Sequence, residues 1–325
     1  MEKTQKTYRE IENLSHRETT RKERAKAKYL SWKFAATVFG NLFAYVLIIG
    51  IAFVIVYPLL RRLGNAFKPV EEFYDTSIVY FPRNPTFEII KQSFQRLNFR
   101  QVGWPSFLMA LYVGLFQMLV SLVVGYGFAR FKFRGSKVLF FCVILTLIIP
   151  PNTILIPLYL RFRFFDIFGI FELILGHSLS LIDTYWCQIL LSALGLGWKN
   201  GLYIYLMRQY FRGVPKELEE AAYIDGARTF KAFIRVMVPS ALPMMLTVFL
   251  FSFSWQWTDT FYTGTFLIKK KLLATSVNSI QHDNELMQFN LQQTAILIIL
   301  IPLILLFVVT QRYFVEGIER SGLTG

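Results

Sequence analysis

The sequence predicts an all-α membrane protein: six transmembrane helices, with a polar helical hairpin held on one side of the bilayer. Three observations carry this expectation. Hydrophobic residues make up 54% of the 325 positions and charged residues only 17%, a balance too apolar for an ordinary soluble domain. The apolar residues gather in runs long enough to cross a hydrocarbon core of about 30 Å at about 1.5 Å per helical residue. One stretch, residues 215–239 (PKELEEAAYIDGARTFKAFIRVMVP), breaks the apolar pattern with two short amphipathic segments.

In chain order, residues 1–33 form a basic tail with Arg17, Arg21, Arg24 and Lys28 at helical spacing and Trp32 at its end. The tail either lies on anionic lipid or is a solvated segment that fixes topology. Its charged part is too long for a secretory signal peptide, and no small-residue cleavage site follows. The remainder, residues 34–325, is the membrane domain, with spans expected at 34–60, 106–129, 138–159, 173–194, 240–257 and 291–314. The loop before the second span places Thr86 as an N-cap, followed by Phe87, Ile90, Phe94 and Leu97 on one helical face, which either rests on the membrane or helps receive an extracytoplasmic binding protein. Ser121, Gly125 and Ala129 make a small-residue stripe suited to close helix contact, and Pro150-Pro151 break or kink the third span. Residues 202–211 are too short to span alone and continue the fourth helix after an interruption at Gly195 and Gly197.

Positive charge sets the orientation. Arg130, Lys132, Arg134 and Lys137 crowd the short second loop and, with the basic tail, assign both to the cytoplasm. Six crossings then put residues 215–239 and both termini there too, in agreement with Arg208, Arg212, Lys216, Arg228, Lys231 and Arg235. Lys269, Lys270 and Lys271 run against the rule, in an outside loop long enough to weaken it.

Within 215–239, Pro215 suits a first helical turn and Glu217, Glu219 and Glu220 complement the positive end of the helix dipole. Gly226 supplies the turn. A second helix from Ala227 places Phe230, Phe233, Ile234 and Met237 on an apolar face, and Pro239 ends it. Helices this short are marginal in water, so another surface must hold them. The alternative is an interfacial amphipathic hairpin joining two spans.

Catalytic chemistry finds no footing. Cys142 and Cys187 fall in different spans, His16, His177 and His282 have no ligand spacing, and no phosphate-binding loop occurs. The net charge of +14 sits beside membrane spans with no extramembrane domain to read a nucleic acid, so no nucleic-acid partner is expected.

Glu220-Ala221-Ala222, then Gly226, then Val236-Met237-Val238-Pro239 resembles the EAA loop of type I ABC importer permeases: EAA, three residues, G, nine residues, I-x-L-P, with valines here for Ile and Leu. Leu206 to Phe211, Ile224 to Ala227, Ala129 to Gly135, Pro150-Pro151 with Pro157-Leu158-Tyr159, and Trp255 to Asp259 are similar to the carbohydrate-uptake branch and its maltose-permease, MalG-like subunits. The resemblance implies a transport subunit of a bacterial inner membrane, not an enzyme, that binds no cofactor itself. Its partners would be a second, MalF-like permease, a dimeric cytoplasmic ATPase holding ATP and Mg, an extracytoplasmic solute-binding protein and the lipid bilayer. Glu220, Ala221, Ala222, Asp225 and Gly226 would couple to the ATPase, with Asp225 capping or orienting the second helix.

For a sugar pathway, aromatic faces and polar groups nominate Asp183, Tyr185, Trp186 and Gln188 in the fourth span and Trp255, Trp257 and Asp259 near the end of the fifth. Trp and Tyr also build interfacial belts, and intramembrane Asp183 needs a partner or a watery cavity. A permease for another solute, a secondary transporter and a membrane scaffold are the competing classes. Sparse intramembrane carboxylates argue against a coupling-ion site, and dependence on a separate ATPase separates the first class from the other two.

Overall fold

The computed structural model describes residues 32–322 except Thr76 and Val79; the basic tail lies almost wholly outside the described residues. The chain divides into two units, Met1–Leu63 and Gly64–Gly325. Regular structure among the described residues is helical, with one isolated antiparallel bridge between Phe165 and Leu179. The first unit carries most of α1 (Trp32–Ala66), whose mean hydropathy reaches 2.6 and whose span window has no buried residue. A helix apolar on every side is one that lipid covers.

The second unit opens with a loop braced by Glu72, whose carboxylate accepts from the backbone N–H of Arg83 and Asn84 at 2.9 Å each. α2 (Glu88–Arg96) follows. Its buried side is Ile89, Ser93 and Leu97, with Ser93 Oγ donating to Leu291 O at 3.0 Å. Of the four residues of the expected face only Leu97 is buried, while Phe87 and Phe94 are exposed, as a face turned to membrane or partner would be; the cap is corrected, since Thr86 does not cap the helix, whose N-cap is Phe87. In a membrane protein an apolar face need not point inward, because lipid satisfies it as well as a core does.

α3 (Phe99–Arg130) is the central post. α4 (Ser136–Ile148) and α5 (Pro151–Arg163) meet at 101°, because Ile149 and Pro150, each preceding a proline, are driven into extended backbone. α6 (Ile170–Leu175) lies between left-handed Gly169 and Gly176, and α7 (Trp186–Ala193) is separated from α8 (Asn200–Gly213) by residues 194–199. The expected fourth span, 173–194, is thus not one helix. Gly176 and Asp183 take positive φ inside it, turning the chain where hydropathy alone reads continuity.

α9 (Glu217–Ile224) and α10 (Thr229–Ala232) form the hairpin, and a π-helical turn over Phe233–Met237 leads into α11 (Val238–Ser240). α12 (Leu242–Thr258) then departs at 72°. α13 (Phe261–Phe266), α14 (Leu273–Ser276) and the long α15 (Glu285–Gly322) complete the chain. Among the described residues three helices can cross a membrane by length and composition, or five if each bent pair counts as one span. The sixth expected crossing is the segment that α6, α7 and α8 break up.

Two clusters hold α3 in place. Near residues 122–126, Leu122 and Tyr126 pack with Tyr203, Met207 and Phe211 of α8, Phe233 and Met237 of the π turn, and Met244 and Val248 of α12. Near residue 110, Ala110 packs with Phe253 and Trp257 of α12, Leu273 of α14 and Leu291 and Ala295 of α15. The small-residue stripe works as expected: a Cβ on Gly125 would sit 2.5 Å from Met207 Cβ and 3.0 Å from the Arg208 backbone nitrogen.

Candidate functional site

α3, α5, α7, α12 and α13 enclose a cavity of about 50 Å³, room for a few waters and no more. Its walls include Trp198, Trp255 and Tyr262, the amides Gln117, Gln188 and Gln256, the hydroxyls Ser192 and Ser252, and Asp259. A groove of about 650 Å³ shares Ile154, Leu158, Leu191, Gly197, Trp198 and Tyr262 with it and continues past Lys199 and Asn200. Trp198 and Trp255 stand 5.5 Å apart, and Trp198 meets Tyr262 edge-on at 5.1 Å. A Cβ at 197 would displace the end of the Gln117 side chain and come within 3.1 Å of Ser192 Oγ. Gln117 Nε2 in turn donates to Trp198 O at 3.3 Å, tying the 194–199 break to the central post.

Of the residues nominated from sequence, Gln188, Trp255 and Asp259 come together here. Gln188 Nε2 donates to Asp259 Oδ2 at 3.2 Å and to Thr263 Oγ1 at 3.0 Å, while Gln256 Nε2 donates to Gln188 Oε1 at 3.3 Å. The Asp259 carboxylate also receives the backbone N–H groups of Phe261, Tyr262 and Thr263 and the Thr263 hydroxyl. Its negative charge is already committed to the start of α13.

The other nominees stand elsewhere. Trp257 is buried in the core with its Nε1 donating to Ile299 O at 2.9 Å, and Trp186 is exposed and does not line the cavity. Tyr185 packs beside Met109 and Val113, with Lys270 5.4 Å over its ring. Asp183 occupies left-handed backbone at φ 61°. It accepts from the Lys269 backbone N–H at 2.7 Å, and its own N–H donates to Phe266 O, so its partner is main chain.

Sequence reasoning missed Gln117, Trp198, Lys199, Asn200 and Gln256. The signal for Gln117 was a lone amide in an apolar run; for the others it was polar and aromatic residues directly beside an interrupted helix. Lys199 is the unusual one. Its Nζ lies 3.4 Å from the centroid of the Trp255 ring, and no carboxylate of the described residues comes within 4.0 Å. A cation on a Trp face is worth about 0.5–2 kcal/mol, more as water is excluded, against roughly 2.5–3.5 kcal/mol for placing a lysine at mid-helix in a bilayer. The ring offsets part of the cost. Beside it, Asn200 is 1% exposed, and both its side-chain polar atoms lack a hydrogen-bond partner among the described residues.

The second site is the hairpin. α9 ends at Asp225, Gly226 turns the chain at φ 78°, and Ala227 N–H donates back to Ala222 O at 2.9 Å. Glu220 and Ala221 are exposed and Ala222 is half-buried. Asp225 does not cap the second helix: it is the C-cap of α9, and the N-cap of α10 is Arg228. Phe233 and Met237 are buried while Phe230 and Ile234 are exposed, so the expected apolar face is split. The wider π turn explains the split, keeping i and i+4 aligned but rotating i+3 away.

The inward anchor of α9 is Glu219, which the sequence reading treated only as a dipole partner. Its Oε1 accepts from Tyr126 OH at 2.7 Å, and its Oε2 lies 3.0 Å from Arg130 Nε. That approach pairs the charges without aligning the Nε–H on the oxygen, since the Nε makes no hydrogen bond. Arg130 Nη2 donates to Val214 O at 2.8 Å. Both charged side chains are under one-tenth exposed, at 7% and 8%. The end of α3 is thereby fastened to both ends of the connection entering α9.

Comparison with known proteins agrees with this architecture. The family described as binding-protein-dependent transport system inner membrane component matches residues 117–320. The galactooligosaccharides transport system permease protein GanQ of Bacillus subtilis is 30% identical, over 87% of this chain and 95% of that protein. The diacetylchitobiose uptake system permease protein DasC of Streptomyces coelicolor is 25% identical, over 89% and 97%. Among solved structures, a bacterial ABC transporter involved in the import of the acidic polysaccharide alginate superposes with a TM-score of 0.62, over 86% of this chain and 98% of that one, at 22% identity. That likeness supports the fold. With the match running from within the central post through the helix break at 194–199 and the hairpin, the chain belongs to the family of binding-protein-dependent transport system inner membrane components.

Proposed function

We propose that this multi-pass inner-membrane protein is the MalG-like permease of a sugar importer, forming half of the path for an oligosaccharide. The observation that carries the reading is the groove of about 650 Å³ at the helix breaks, which runs past Trp198 and Tyr262 to the small cavity where Trp255 and three amides gather. Aromatic faces stack on the C–H faces of sugar rings, and amides both donate to and accept from hydroxyls. Relatives named for galactooligosaccharides, diacetylchitobiose and maltodextrin support the substrate class.

The remaining parts of the machine are other chains: a MalF-like second permease, a dimeric ABC ATPase and an extracytoplasmic solute-binding protein. ATP and Mg belong to the ATPase, and this chain hydrolyses nothing. Glu220, Ala221 and Ala222 seat against the ATPase, with Asp225 and Gly226 shaping the turn. The exposed side chains of Leu218, Ile224, Phe230 and Ile234 on the hairpin support a surface made for a partner. The hairpin and both termini then face the cytoplasm.

The test is purification from the native membrane in mild detergent, then reconstitution into vesicles. Copurification of a second permease, an ATPase and a sugar-binding protein, with ATP-dependent uptake of labelled oligosaccharide, is expected. Uptake without an ATPase, or recovery of this chain as a homogeneous self-assembly, refutes it.

A further inference from the structure

We propose that Lys199 and Asn200 form a carboxylate-recognising subsite, so that the sugar this permease carries is acidic, built from uronate units. The inference rests on the sugar reading above and narrows it.

Depth comes first. α8 runs 14 residues from Asn200 to Gly213, which at about 1.5 Å per residue puts Lys199 about 21 Å from the hairpin end of the helix. With Arg208 and Arg212 on the cytoplasmic side, the hydrocarbon begins no lower than Arg208, nine residues from Lys199, so the lysine stands about 14 Å in, near the middle of a core about 30 Å thick. A cation at this depth is expected to face a pathway and to meet an anion. Among the described residues it meets none, and Asp259, the nearby carboxylate of the cavity, is already committed to Gln188 and the start of α13.

Position comes second. The ammonium rests on the Trp255 face, 3.4 Å from its centroid, where a pyranose ring would stack. A neutral sugar has to displace Lys199 from that face and offers the cation no replacement charge. A uronate displaces it and supplies a carboxylate, while Asn200, 1% exposed, lines the same groove with its amide unpaired. The lysine is therefore both a plug against neutral rings and a counter-ion for acidic ones.

The experiment uses the assembled importer in detergent without its binding protein, and reads tryptophan fluorescence on titration with trigalacturonate or galactotriose. The two probes share the galactose ring and differ in carboxylate against hydroxymethyl at C6. Trigalacturonate is expected to bind at least about tenfold more tightly, the worth of one charge-assisted hydrogen bond. Lys199→Gln should abolish the preference, and Lys199→Arg should keep it. Equal or tighter binding of galactotriose by the unsubstituted complex overturns the proposal and leaves the sugar reading standing. Binding of neither trisaccharide overturns the uronate proposal, and the sugar reading is then judged by the uptake assay described above. If Lys199→Gln instead releases the second permease, the lysine is a counter-ion for that partner and the proposal is overturned.

Discussion

Removing the Glu219 carboxylate should unfasten the hairpin. In Glu219→Ala, Arg130 stays at 7% exposure without its counter-charge and Tyr126 OH loses its acceptor. Breaking one side of a buried pair costs about 3–5 kcal/mol. Here Arg130 keeps its bond to Val214 O, so the lower end, about 3 kcal/mol, applies to the docking of α9. That is about a hundredfold in the docked-to-undocked ratio. α9 is eight residues long and has little helical stability of its own. Hydrogen exchange over residues 217–224 should therefore accelerate by about two orders of magnitude, and in vesicles ATP hydrolysis should continue while uptake falls. Glu220→Ala is the control: its side chain is exposed, and exchange in α9 should not change. Replacing both partners, Arg130→Met with Glu219→Met, should recover most of the protection, because apolar pairs of similar volume substitute for buried ion pairs at little cost. Unchanged exchange in Glu219→Ala, or equal acceleration in Glu220→Ala, would refute the tether.

Other perturbations follow from the same geometry. Gly125→Ala drives a Cβ to within 2.5 Å of Met207 and should cost about 1–3 kcal/mol, seen as a lower melting temperature, whereas Gly127→Ala, with open space around it, should be near neutral. Trp257→Phe gives up the bond to Ile299 O and should lower stability by about 1–2 kcal/mol while sparing substrate preference; Trp255→Phe should do the reverse, read by binding titration against thermal unfolding. Ala222→Glu should insert into the membrane normally yet uncouple ATP hydrolysis from uptake, and normal coupling in vesicles would count against the assigned docking face.

Much of the frame was legible. The bend at Pro150-Pro151, the stripe at Ser121, Gly125 and Ala129, and the Gly226 turn all rest on local chemistry that residue type announces. The interruption of the fourth span at Gly195 and Gly197 was legible too, but its earlier break between Gly176 and Asp183 was not, because hydropathy sums side chains and is blind to backbone. Asp183 and Lys199 adopt left-handed φ without being glycine, so nothing in their identity marks the turn. Thr86 was misread as the cap of α2 because a hydroxyl ahead of an apolar stripe is only a local signal, and the helix starts at Glu88 with Phe87 as its N-cap. Glu219 and Glu220 are neighbours of one type, and only the position of Arg130 at the end of α3 decides which turns inward.

The two breaks converge. The 101° corner between α4 and α5 and the interruption between α7 and α8 both line the 650 Å³ groove, through Ile149 and Pro151 on one side and Gly195 to Lys199 on the other. Broken backbone at membrane depth leaves carbonyl and N–H groups without intrahelical partners, which hydrocarbon does not tolerate. It survives where protein buries it or where it borders a polar path. Residues Trp198, Lys199, Asn200 and Gln117 supply that polarity, and α3, gripped by α8 and α12, is the fixed element against which they are set. The same post carries Arg130 and Tyr126 at its far end, where Glu219 ties on the hairpin. A displacement of the hairpin therefore pulls on the helix that walls the cavity, and Gln117, about three and a half helical turns from Arg130, is where that pull reaches the Trp198 carbonyl.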